Sequence, residues 1–415
     1  MYNKDKVGYV KMFIEIDEEC KKLLDEKKYL NFFNELAHNI NNGTNYVFIT
    51  KRLLEKLYKN PQIDNSSRQI YKNIFDNSAQ DLAIKRSVNR IAKVVNNGKT
   101  EIEKNEFEIE DESEKKKVEE IIIPIDIAIN VNLFIKKSNL IGENHSDCQF
   151  LRNIGAAYKA KKSINAINIE LRNVQGGGAT ISDEYEEKAK EKEISLFIVD
   201  TDQKYKGSAK GSTLRKLLKE ERENKCEACE IYELPVHEIE NIIPLKMIKK
   251  YYEEAKGEEE RNEVIDFLES LEKNDFEKSP MAFFDMKNGI SMKKWIEEGS
   301  YKQYWKNVLD DIQFEYCEEY EYDEKKEEYN PKYIINGFGS KLLDKINEFW
   351  SENYDEIEFL RENVDEYVEK MRTQLKQLMK NCDGIQLNVE NTWEDIGALV
   401  YSYGCARQRG VVGGR

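Results

Sequence analysis

Apolar and polar positions divide the chain into stretches of different period. Residues 10–16 and 46–49 are short apolar runs that predict strands, while 17–24, 29–40 and 51–58 carry apolar residues at helical spacing. Together they predict a small N-terminal α/β domain over residues 1–100. Residues 101–120 lose that pattern to Glu and Lys, as in the run from Glu108 to Lys117, and such a run predicts a solvated acidic linker. Apolar character returns around Pro124, where residues 121–134 predict one or two strands leading into a further sheet.

Residues 139–244 alternate strand and helix. An apolar segment, 139–142, delivers Glu143 into a helix start. There Ser146 and Gln149 have capping-box spacing, and Phe150, Leu151, Ile154, Ala157 and Tyr158 form one face. Residues 164–174 predict a second strand, ended by Gln175-Gly176-Gly177-Gly178, a turn that permits close ligand approach. A short charged helix over 182–193 precedes a third strand, 194–199, which ends in Asp200-Thr201-Asp202. A helix from Ser212 and a strand over 230–236 follow. This alternation predicts a parallel sheet flanked by helices, within a catalytic domain spanning 121–245. Residues two apart on a strand point to one side, so Asp200 and Asp202 are expected to present their carboxylates together at a strand end, where α/β sheets place their sites.

Beyond 245 the spacing is mainly helical, over 248–255, 260–271, 295–312, 341–350 and 357–379, with Trp295, Trp305 and Trp350 expected as core anchors. The acidic run 315–328 is expected to project into solvent. Residues 393–404 predict a helix of small and apolar residues. Arg407, Arg409 and Arg415 among glycines predict a frayed tail, with contact to nucleic acid or a partner as the alternative.

Charge changes the picture in one place. The chain is 35% charged with a formal net charge of −15, so its bulk surface repels nucleic acid. Between Gln203 and Lys216 the sign reverses: Lys204, Lys206, Lys210, Arg215 and Lys216 occur with no acidic residue. Beside the aspartates this is a candidate phosphate grip, the other reading being a solvated loop and helix face. No run approaches the ~18 apolar residues of a membrane helix, and the N-terminus lacks a secretory layout. Seven scattered cysteines predict a reduced, cytoplasmic protein. Cys226-Glu227-Ala228-Cys229 is a lone pair without the partners of a zinc ribbon and is read as structural. With only His38, His145 and His237 present, a histidine-based metal site is not expected. Clustered carboxylates instead suit hard cations, Mg²⁺ or Mn²⁺. No phosphate-binding Walker pattern occurs, so any ATPase is expected on another chain.

The order Glu143, Gly176 to Gly178, then Asp200 and Asp202 resembles the TOPRIM domain of topoisomerases, DnaG-type primases and OLD (overcoming lysogenization defect) nucleases. That pattern is a glutamate after the first strand, a glycine after the second and Asp-x-Asp after the third. His237-Glu238-Ile239-Glu240-Asn241-Ile242 is similar to an Arg-Glu-x-Glu-Asn-Tyr segment of TOPRIM proteins in bacterial antiviral systems, departing from it at His237 and Ile242. The resemblance covers about a quarter of the chain. It implies catalytic and metal-binding roles for Glu143, Asp200 and Asp202, a further metal ligand at Glu240, and substrate contacts at Gly176 and Gly177 beside Lys204, Lys206 and Lys210. The implied activity is metal-dependent hydrolysis of DNA or RNA by an antiviral effector, with a partner ATPase or sensor chain and a homo-oligomeric form as further expectations. Two alternatives stand beside it: a catalytically silent TOPRIM interaction module, and a primase or topoisomerase, which the missing zinc segment disfavours. In the N-terminal domain Asp17 and Glu55 faintly resemble a PIN-type nuclease, against a structural or partner-binding role.

Overall fold

The first apolar runs become the centre of a five-stranded sheet in the computed structural model. Its strands are β1 (Phe13–Ile16), β2 (Tyr46–Ile49), β3 (Arg90–Val95), β4 (Glu103–Asp111) and β5 (Glu114–Pro124), in the order β2-β1-β3-β5-β4. β1 runs parallel to β2 and β3, β3 parallel to β5, and β4 antiparallel to β5. Every residue of β1 is buried, as a central strand of a parallel sheet requires. Its Glu15 is tolerated there because Lys85 pairs with it. The helices Lys27–Asn41, Lys51–Lys59 and Asn65–Asn77 bury one apolar face each. Thr50 and Asp64 start the last two by accepting from Leu53 and Ser67 amides. The structure describes residues 13–43, 45–78, 81–111, 114–131, 137–161, 167–254, 262–272, 280–358 and 386–407.

Residues 101–120 are not a linker. They build most of the β4–β5 hairpin, and the register explains how so charged a sequence becomes a sheet: Glu108 faces Lys117, Ile109 faces Lys116 and Glu110 faces Lys115. Opposite charges across a ladder stabilise it, as Glu108 and Lys117 do here. The apolar residues 121–124 complete β5 in this first sheet, and Ile125–Asn130 is a helix.

A four-stranded sheet contains β6 (Asn139–Gly142), β8 (Arg172–Gln175), β9 (Ser195–Val199) and β10 (Cys229–Glu233), in the order β10-β9-β6-β8. β6 is parallel to β8 and to β9. The expected single strand over 164–174 is two: β7 (Ile167–Ile169) precedes β8 and pairs instead, antiparallel, with Cys405–Arg407. The helices His145–Lys161, Ile181–Glu191 and Ser212–Glu223 follow β6, β8 and β9 in sequence. The first starts at His145, with Asp147 accepting from the Asn144 amide at 2.8 Å, two residues earlier than the Ser146–Gln149 box predicts.

The chain divides into two compact units. One comprises Met1–Phe197, Leu217–Ile231 and Ile396–Arg415, the other Ile198–Lys216 and Tyr232–Asp395. The region expected as one catalytic domain, 121–245, therefore contributes to both. In the first unit, Arg90 of β3 meets Glu230 of β10 with Nε 2.9 Å from Oε2 and Nη2 2.6 Å from Oε1. Tyr403 donates to the same carboxylate at 2.8 Å.

The second unit is mainly helical: Leu245–Glu254, Asn262–Glu272, Met292–Glu297, Gly299–Asp311 and Leu342–Glu358. Trp295, Trp305 and Trp350 are buried, as core anchors should be, and Trp350 stacks on Trp393 at 5.7 Å. The acidic run forms a small hairpin, Glu321–Asp323 with Glu328–Asn330, whose side chains are mostly exposed. Most of the expected helix 357–379 lies outside the described residues, as do Arg409 and Arg415, while Arg407 ends the strand paired with β7.

Candidate functional site

In the first unit the glycine turn after β8 is latched to the end of β6. The Gly176 amide donates to the Gly142 carbonyl at 2.8 Å and the Gly177 amide to the Glu143 carbonyl at 3.0 Å. Gly176 has no room for a side chain, since a Cβ would come within 2.7 Å of Ile181, and Gly177 takes φ +59°. These constraints hold Glu143 at the strand end, one residue beyond β6 and partly exposed. His145 is exposed on the first turn of the following helix.

Asp200 and Asp202 belong to the second unit. β9 ends at Val199, so strand alternation stops before the aspartates. Asp200 is buried, whereas Asp202 adopts the left-handed region at φ +53°. Asp is among the few non-glycine residues that tolerate this conformation. Three bonds fix the turn. The Asp202 amide donates to the His237 carbonyl at 2.9 Å, the Gly211 amide to the Thr201 carbonyl at 2.8 Å, and the Thr201 hydroxyl to the Val236 carbonyl. A Cβ on Gly211 would lie 2.0 Å from Asp202 Oδ2, so glycine there sets the position of the carboxylate.

The Asp-x-Asp turn is thereby joined to the His-Glu-x-Glu segment. Glu238 and Asn241 form a reciprocal capping box around the short turn Ile239–Ile242, and Asn241 donates to the Met281 and Phe284 carbonyls at 2.8 Å. These bonds carry the segment against residues 281–287. Lys287 Nζ reaches Glu238 Oε2 at 2.9 Å and Glu240 Oε2 at 3.1 Å, and the charge of Asp200 also acts on it. Glu240 is 2% exposed, and burial, reinforced by Glu238, pushes its carboxyl up to about 8 against the opposing effect of Lys287. The three carboxylates raise the Lys287 pKa in turn, against its own desolvation. Glu238 and Glu240 are thus brought to one cation, which also feels the charge of Asp200. Lys287 and the nearby Asp285 are not among the sequence candidates; Phe284-Asp285-Met286-Lys287 alternates buried apolar residues with charged ones, which marks a half-buried segment and no particular chemistry.

The basic segment is less available than its composition implied. Lys204 pairs with Glu298 at 2.9 Å and Lys210 pairs with Glu233, while Lys206 is exposed. In the first unit, Cys226 of the CxxC pair is pushed down to about 6 by a hydrogen bond with Cys229, whose own thiol is pushed up.

Residues 361–388 match the family model of the BrxC C-terminal alpha-beta domain, a small part of the chain lying almost wholly outside the described residues. The chain matches no curated protein and no solved structure. Among the described residues no helix is long and apolar enough to cross a membrane.

Proposed function

We propose that this chain is a phage-defence effector that hydrolyses phosphodiester bonds of nucleic acid, using divalent cations held by Asp200, Asp202 and Glu240, with Glu143 carried over from the TOPRIM resemblance. The observation that supports this reading is the convergence of Glu238 and Glu240 on Lys287, within the field of Asp200, in the second unit. Buried carboxylates are costly without a cationic partner, and a hard divalent cation is an alternative to the Lys287 ammonium in that role. When bound, Mg²⁺ or Mn²⁺ supplies an activated water and stabilises the leaving oxygen. The protein's own part is positional: the Gly211 contact and the left-handed turn aim Asp202, and the capping box holds Glu238 and Glu240. BrxC is a component of the BREX phage-defence system, and the match at 361–388 supports the defence context and action alongside partner chains.

A second reading has its own observation. Lys287 stands where a cation would bridge Glu238 and Glu240, as it would in a catalytically silent interaction module. Incubating the full chain with plasmid, single-stranded DNA and tRNA, with and without Mg²⁺ or Mn²⁺, separates the two. Cation-dependent cleavage lost in Asp200→Asn supports the effector, and no cleavage of any substrate supports the silent module.

A further inference from the structure

We infer that His237, Glu238 and Asp285 form a second cation site, one that takes a borderline transition metal such as Co²⁺ or Zn²⁺ in preference to Mg²⁺. One ligand atom from each residue lies within 4.8 Å of the others, and His237 Nε2 is 3.9 Å from Asp285 Oδ2. A cation held at about 2.1 Å needs donor atoms roughly 3 to 4 Å apart, so modest closure completes the geometry.

The orientation of the imidazole points to a metal. His237 Nδ1 lies 3.0 Å from the Gln203 carbonyl, an acceptor only, so Nδ1 carries the proton. In the neutral ring this leaves the Nε2 lone pair facing Glu238 and Asp285. Such a hydrogen bond from the far ring nitrogen to a backbone carbonyl is how metal-ligating histidines are aimed.

The carboxylates are aimed as well. Glu238 Oε1 accepts from the Lys287 amide at 3.1 Å, and Asp285 Oδ1 from the Asn288 amide at 2.7 Å. His237 and Glu238 are buried, and their ring and carboxylate come from one short segment that four bonds hold in place: the Asp202 amide to the His237 carbonyl, the His237 amide to the Ala282 carbonyl, and the two of the Glu238–Asn241 box. Lys287 and Lys294 border the cluster, Lys294 Nζ 3.6 Å from Asp285 Oδ2, and they compete with a cation for the carboxylates. The imidazole decides the metal class. Nitrogen ligands favour later first-row ions, whereas Mg²⁺ keeps oxygen ligands and its water.

The site is independent of the hydrolytic reading, because binding is measured without nucleic acid. The full chain is titrated with Co²⁺, followed by calorimetry and visible absorption. The expected result is saturable binding with d–d absorption, free of thiolate charge transfer and not displaced by equimolar Mg²⁺. Asp285→Asn, which keeps the acceptor for Asn288, and His237→Gln each weaken it at least tenfold. Asp202→Asn, which tests hydrolysis, leaves Co²⁺ affinity in place. Absence of d–d absorption, a thiolate charge-transfer band, or unchanged affinity in folded Asp285→Asn overturns the site and favours a simple imidazolium–carboxylate pair.

Discussion

The Lys287 ammonium lies 3.1 Å from Oε2 of Glu240, a carboxylate that is 2% exposed. Removing one partner of a buried ion pair leaves the other uncompensated, at a typical cost of about 3–5 kcal/mol. Lys287→Met is therefore expected to lower stability by about 3 kcal/mol, mainly through the loss of the partner that Glu238 has at 2.9 Å; the low end applies because Glu240, raised to about 8, already holds a proton at neutral pH. A divalent cation should restore more stability to this variant than to the wild type. Thermal melts with and without Mg²⁺ or Mn²⁺ check this, and equal cation shifts in both proteins would count against a cation site.

Glu240 gives the pH dependence. Its carboxyl is raised from the usual 4.5 to about 8, so the folded chain holds a proton that the unfolded chain releases. Its contribution to stability is full below 4.5 and is lost as pH rises through about 8. In chelator, the melting temperature of Glu240→Gln should fall less steeply with pH over that interval. Identical slopes would show that burial at Glu240 is relieved in solution.

Asp202 is positioned by Gly211, whose Cβ, if present, would lie 2.0 Å from the carboxylate. Asp200→Asn, Asp202→Asn and Gly211→Ala should each reduce Mg²⁺- or Mn²⁺-dependent cleavage at least about a hundredfold, the scale of losing a reacting carboxylate or its geometry. Glu143→Gln should lower turnover more than substrate affinity. Full turnover in Glu143→Gln would make that residue structural.

Lys204 and Lys210 already pair with Glu298 and Glu233, leaving Lys206 exposed. Changing all three to Ala should flatten the salt dependence of oligonucleotide binding by about one phosphate contact, roughly 0.7–0.9 in log–log slope, and not by three. A salt titration in Ca²⁺, which suppresses cleavage, measures this. Loss of three contacts would mean that nucleic acid breaks both ion pairs.

How much was legible in the sequence depended on whether the information was local. Strand ends at Gly142 and Val199, the helix faces and the tryptophan anchors follow from nearest-neighbour periodicity, and they are in the structure. The β4–β5 hairpin differs from the expected linker because each strand alone looks like solvated charge, and its pairing, with Glu108 opposite Lys117 and β5 alongside β3, lies between segments. Asp202 departed from strand alternation because the Gly211 and His237 contacts, nine and thirty-five residues away, set its backbone. Lys287 and Asp285 lie in a stretch that was read only for helices, and nothing near them in sequence announces the glutamates they face. The closeness of His237 to Glu238 and Asp285 depends on contacts between distant segments, which a count of histidines does not contain.

The first unit is assembled from three separated segments, and that has a consequence on the ribosome. Its last piece, with buried Ile396, Tyr401 and Tyr403, is made only after the whole of 232–395. At roughly 5–20 residues per second, that insertion takes about 8 to 30 s to synthesise. Until then Glu230 holds Arg90 without the Tyr403 hydroxyl, and β7 lacks the strand Cys405–Arg407. The first unit of a nascent chain thus stays incomplete while 232–395 is made, and a chain that stops before Ile396 has a first unit missing part of its core.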